Sequence, residues 1–76
     1  MIAIGTPIGL RDADGRELLV GDECQAIRGW ASHKKFKGLT ATVVYKDGFF
    51  AWKWSDGYMN PYPICVPQNW RVIPKA

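Results

Sequence analysis

Eight glycines and five prolines interrupt this 76-residue chain at short intervals, and no other feature constrains its fold as strongly. Gly5, Pro7, Gly9, Gly15, Gly21, Gly29, Gly38, Gly48, Gly57, Pro61, Pro63, Pro67 and Pro74 leave no clean window for an amphipathic helix of ordinary length. The segments between them are strand-like: Cys24 to Ile27, Leu39 to Tyr45 and Phe49 to Trp54 are rich in β-branched and aromatic residues. Their period is two. Leu39, Ala41, Val43 and Tyr45 fall on one face and Thr40, Thr42, Val44 and Lys46 on the other, while Phe50, Trp52 and Trp54 oppose Phe49, Ala51 and Lys53. The shared face of Trp52 and Trp54 is expected to be core or a half-covered apolar patch.

Turn chemistry orders these strands. Asp47-Gly48 supplies the positive φ angles of a primed hairpin turn. Asp14-Gly15 predicts a second hairpin, joining Ile8–Arg11 to Glu17–Val20 as an N-terminal ribbon, and Ser55-Asp56-Gly57 predicts a third turn. Beyond it, Pro61 and Pro63 would confine Ile64-Cys65-Val66 to an edge strand. Pro67-Gln68-Asn69 reads as one 3₁₀ turn ahead of a last strand, Trp70 to Ile73. The expected fold is all-β: a small barrel of about five strands with an N-terminal ribbon and a single 3₁₀ turn before the last strand, which hides the edges an open meander exposes. With no repeat, linker or low-complexity tract, residues 1–76 form one domain, divided into a ribbon (1–17) and a barrel core (18–74).

A chain this short buries a modest fraction of its surface, so its ten aromatic residues must supply much of the core. Two cysteines and one histidine are too few for a zinc site built from Cys and His, so neither a metal nor another cofactor is expected. Cys24 and Cys65 are expected as small hydrophobes, with pairing left open. No apolar run approaches a membrane span, and Met1 to Pro7 has neither a basic start nor a long apolar stretch, which leads us to expect a cytoplasmic protein without a membrane partner. A net charge of +3 permits an anionic partner without demanding one.

The stretch Leu19-Val20-Gly21-Asp22-Glu23-Cys24-Gln25-Ala26 resembles the opening of KOW and Tudor domains, both SH3-like barrels, in which an apolar-Gly-Asp turn feeds the first barrel strand. Lys37-Gly38-Leu39-Thr40-Ala41-Thr42-Val43 looks like the KOW core, and Phe50-Ala51-Trp52-Lys53-Trp54-Ser55-Asp56-Gly57 is similar to the third strand and turn of Tudor-like barrels. Trp70 to Ile73 suits the closing strand. The resemblance spans residues 18–74 and implies an SH3-like barrel. The Gly29–Gly38 loop is longer and more basic than a minimal KOW turn, and the ribbon belongs to neither pattern.

Three surfaces are candidates for function. The loop from Arg28 to Gly38 interleaves Arg28, Lys34, Lys35 and Lys37 with Trp30 and Phe36, beside His33. Its cations would neutralise phosphates and its rings would stack on unpaired bases, unless the rings fold over a barrel mouth and the lysines only solvate a loop. The Tudor resemblance implies an aromatic cage for a methylated cation from Trp30, Tyr45, Phe49 and Tyr58, with Asp56 or Asn60 as its polar wall; core packing is the alternative. A protein-interaction adaptor would instead use exposed aromatics around Tyr45, Trp54, Tyr58 and Tyr62, including the proline-rich strip Tyr58 to Pro63. Catalysis is not expected. Neither cysteine has a context that would activate it with His33, no phosphate-binding glycine loop is present, and the aspartates mostly occupy turns. The leading expectation is therefore a non-enzymatic nucleic-acid-binding module, with the adaptor as runner-up.

Overall fold

The computed structural model describes residues 3–29, 32–33 and 39–74. Among these residues six strands form in chain order: β1 (Pro7–Arg11), β2 (Glu17–Leu19), β3 (Glu23–Ala26), β4 (Ala41–Lys46), β5 (Phe49–Trp54) and β6 (Trp70–Val72), with a 3₁₀ turn at Pro67–Asn69 directly before β6. The longest ladder follows from the strongest local signals. β4 and β5 pair without a slip from Ala41↔Trp54 to Lys46↔Phe49, closed by a turn in which Asp47 (φ 53°) and Gly48 (φ 90°) both take positive φ, as the primed hairpin requires.

The architecture corrects the closed barrel. The strands form two antiparallel sheets, one of order β5-β4-β3-β6 and a separate ribbon of β1 and β2. No ladder joins β6 to the ribbon, because the bond a ladder would make there is made by a side chain. Asp12, only 5% exposed, accepts the Val72 N–H on Oδ2 at 3.0 Å and the Asp14 and Arg16 N–H groups on Oδ1 at 2.9 and 2.8 Å, while the Ala13 N–H donates to the Trp70 carbonyl at 2.8 Å. Burial alone would push this carboxyl up. The three backbone hydrogen bonds and the nearby Arg16 charge outweigh it and hold the group below its ordinary value of 3.8. The exposed Arg71–Asp14 ion pair beside it, at 2.8 Å, contributes little.

The opposite edge also departs from expectation. Ile64–Val66 forms no strand: the chain turns at Gly57 and returns along β5 through one bridge, Lys53↔Met59, made by the Trp54 N–H to the Tyr58 carbonyl and the Asn60 N–H to the Trp52 carbonyl, and through one further bond, from the Ile64 N–H to the Phe50 carbonyl. Pro61 and Pro63 have no N–H to give, which reduces a ladder to scattered contacts.

Period two places the core where it was expected on β4 and β5. Ala41 and Val43 from β4 and Trp52 and Trp54 from β5 bury with Leu18, Cys24, Ile64, Trp70 and Val72. Trp70 organises this core, stacking on Trp52 at 4.4 Å between ring centroids and tilting against Trp54 at 5.5 Å. Rings of this size bury roughly 150–250 Å² each, which is how so short a chain reaches a dense interior. The ribbon shares in it: Leu18 on β2 is fully buried and Ile8 and Leu10 pack against the cluster, so a division at residue 17 cuts through a strand.

Candidate functional site

The described part of the basic loop begins at the end of β3. Arg28 is exposed, and its Nη2 donates to the Gln68 carbonyl at 3.1 Å, which ties the guanidinium to the 3₁₀ turn. His33 is exposed; Trp30, Lys34, Lys35, Phe36 and Lys37 lie outside the described residues.

The described cage residues, Tyr45, Phe49 and Tyr58, do not converge. Tyr45 and Phe49 flank the Asp47-Gly48 turn, where Tyr45 packs edge-on against Phe50 at 5.3 Å. Tyr58 lies at the other end of β5, its carbonyl accepting the Trp54 N–H and its own N–H donating to Asp56 Oδ1 at 3.0 Å. The five residue steps of β5 hold these groups about 16 Å apart, too far for one cation to touch both. Trp54 is corrected as well: at 6% exposure it is core, so of the adaptor's aromatics only Tyr45, Tyr58 and Tyr62 are open to solvent.

Instead, the structure assembles residues drawn from two different expectations around one groove. Its floor is the Trp52–Trp70 stack. One wall is the returning segment, with Asn60, Tyr62, Pro63, Cys65 and Val66; the other is Asn69 of the 3₁₀ turn together with Arg28 and Gly29. The hollow measures about 200 Å³. Local bonds set both walls. Asn60 Oδ1 accepts the Tyr62 N–H at 3.0 Å and so folds the chain around Pro61, while the Asn69 carbonyl accepts the Ile27 N–H at 2.8 Å and anchors the 3₁₀ turn to the end of β3.

Gly29 is required by this closure. Its φ is 81°, and a Cβ placed on it would stand 2.9 Å from Asn69 Nδ2, so any larger residue would displace the amide.

The groove is electrostatically one-sided. Among the described residues no aspartate or glutamate lines it, and no carboxylate pairs with Arg28. Tyr62, 71% exposed, offers most of its ring to solvent. Gly29, Asn69 and Cys65 were not singled out as site residues by sequence; the Pro-Gln-Asn turn marked a bend, and nothing in it announced which side chains the bend would face.

The thiols differ sharply. Cys24 is sealed in the core, and burial, with the charges of Asp22, Asp12 and Glu23, pushes it up to about 12, whereas Cys65 is exposed at the groove. Among the described residues no three His, Cys, Asp or Glu side chains gather as metal ligands, and no helix is long and apolar enough to cross a membrane. Comparison with known proteins finds no matching family model, no matching curated protein and no matching solved structure.

Proposed function

We propose that this chain is a non-enzymatic binding module for single-stranded nucleic acid, built as an SH3-like variant in which side-chain and isolated backbone bonds replace part of the barrel ladder. The strand order supports the architecture: the last strand lies beside the first strand of the meander, with a 3₁₀ turn immediately before it. The function rests on one observation, an acid-free groove that carries Arg28 on one wall and the exposed ring of Tyr62 on the other. Phosphate contact and base stacking are the two interactions that single strands demand, and stacking contributes about 1–3 kcal/mol per base. In the sequence, Gly29 is followed by the run Trp30 to Lys37, with three further lysines and two aromatics. A non-catalytic role fits Cys24, whose thiol is held protonated far above neutral pH.

Fluorescence anisotropy with short single-stranded RNA and DNA at rising salt tests this reading. Affinity should fall steeply with ionic strength and collapse in the Lys34→Glu/Lys35→Glu variant, and bound strand should slow the labelling of Cys65. Binding that ignores both salt and charge reversal would eliminate it.

A protein-interaction adaptor is the second reading, and a separate hollow of about 300 Å³ favours it. Ile4 (82% exposed), Val44 and Tyr45 (43% exposed) line it, an apolar surface open to a protein partner. A pull-down comparing wild type with Ile4→Ser/Tyr45→Ala and with Tyr58→Ala/Tyr62→Ala should then change its captured set; identical lanes would count against the adaptor.

A further inference from the structure

Three arginines that lie far apart in the chain are brought onto two adjoining turns. Arg11 ends β1, Arg28 lies just past β3 and Arg71 sits in β6, and all three are exposed. Each guanidinium is held in place by a hydrogen bond. Arg28 Nη2 donates to the Gln68 carbonyl at 3.1 Å, Arg71 Nε donates to Asp14 Oδ2 at 2.8 Å, and Arg11 Nη1 donates to the Gly15 carbonyl at 2.8 Å. Asp14 and Gly15 are neighbours in the ribbon turn, which the bond from the Ala13 N–H to the Trp70 carbonyl fastens to the start of β6. The 3₁₀ turn that carries Gln68 runs directly into that same residue and packs against β1. The guanidinium groups therefore lead from the groove wall, at Arg28, along the β6 edge to the ribbon turn.

The acids around them leave these cations available to an anion. Asp12 has both oxygens occupied by three backbone N–H groups. Glu17 stands opposite Arg11 in the ladder, yet the guanidinium turns to the Gly15 carbonyl and, among the described residues, no ion pair joins the two. Asp14 does hold Arg71, but both side chains of that pair are more than half exposed, where an ion pair contributes little. A guanidinium has five N–H donors, so each arginine keeps some of them free for phosphate oxygens. We propose that Arg28, Arg71 and Arg11 form a track for successive phosphates of a single strand whose base stacks on Tyr62 in the groove. This rests on the nucleic-acid reading above and gives the strand a course, out of the groove and across the β6 edge to the ribbon turn. Cations already held in place lose little side-chain freedom when the strand arrives. Their contacts position the backbone and carry no sequence information.

Substitutions matched in charge at the two ends of the ribbon separate a track from net charge. The ribbon turn lies beside Trp70, whereas the ribbon's open end, at Ile4 and Val20, lies beside Tyr45 and so near the Asp47-Gly48 turn. Fluorescence anisotropy with one single-stranded oligonucleotide over a series of salt concentrations is the measurement. Arg11→Gln and Arg71→Gln should each weaken binding and lower the slope of log affinity against log salt by about 0.7, the value of one phosphate contact in a single strand. Lys46→Gln removes the same charge at the far turn and should leave the slope unchanged. Asp14→Asn should tighten binding severalfold by releasing Arg71. Asp47→Asn makes the same change of charge at a positive-φ position that asparagine tolerates, and should not tighten it. Arg11→Lys should keep the slope of the wild type. Pyrophosphate at matched ionic strength should not displace the strand; displacement would reduce the arginines to an isolated anion site and overturn the track. Should circular dichroism show Arg71→Gln unfolded, Arg11→Gln and Asp14→Asn decide. A slope that ignores Arg11 and Arg71, or that falls equally in Lys46→Gln, overturns the track and leaves the nucleic-acid reading standing. No binding to the strand overturns both.

Discussion

The two edges of the four-stranded sheet are covered in opposite ways. At β6 a buried carboxylate and one backbone bond satisfy the exposed polar groups, and the ribbon packs down behind them with Leu18 fully buried. At β5 the covering segment contains two prolines, touches the strand through one bridge and one isolated backbone bond, and leaves a groove of about 200 Å³ beside it. Full satisfaction of donors and acceptors closes an edge; a missing donor keeps it from closing tightly. The edge that the sequence pairs poorly is the one that has room for a ligand.

Trp70 belongs to both edges, so it offers the strongest way to break the contrast. Its carbonyl receives the Ala13 N–H and its ring floors the groove. Trp70→Ala should cost about 3–5 kcal/mol, enough to unfold a domain whose total stability is of that order, as urea denaturation would show. A loss below about 1 kcal/mol would mean that the two edges do not share a core.

Asp12→Asn attacks the sealed edge alone. Its amide keeps one acceptor but turns a donor toward another N–H, at a cost of about 1–3 kcal/mol. The sign of the pH effect is set by the depressed carboxyl. The folded value lies below the unfolded one, so the contribution is complete above about pH 4 and drains away as pH falls through the lower folded value. Urea melts of the two proteins between neutral and strongly acidic pH should show this acid-side loss in wild type and a flatter profile in the variant. Parallel profiles would remove Asp12 from the explanation of that edge.

Pro61→Ala acts at the open edge and should have the smallest effect. Loss of the proline's restriction on the unfolded chain costs about 0.4–1 kcal/mol, measured as a modest fall in the urea midpoint. A gain in stability would instead show that the restored N–H had found a ladder partner, and that proline alone kept this edge from pairing.

Much of the fold was legible in the sequence. Asp47-Gly48, the alternation through β4 and β5, the 3₁₀ turn at Pro67–Asn69 and the shared face of Trp52 and Trp54 all follow from residues close together in the chain. The site was legible only in fragments. Arg28 was expected in a basic loop, and Asn60 and Tyr62 in an aromatic strip. Tyr45, Phe49 and Tyr58 were grouped because resemblance grouped them, although the six-residue β5 separates Tyr58 from the other two. Pattern assigns a face to a residue but does not say which distant residue shares its neighbourhood.

By itself, the sequence determined that this chain folds from short strands around tryptophan, since turn chemistry and period two act over a few bonds and need no partner. Only the tertiary structure decided that Asp12 would stand in for a ladder with Val72, 60 residues away, and that Arg28 would be tied to Gln68, 40 residues away, across a groove from Tyr62. Those contacts form only after the chain has closed on itself, and a side chain's capacity to make them carries no local mark of the partner it will meet.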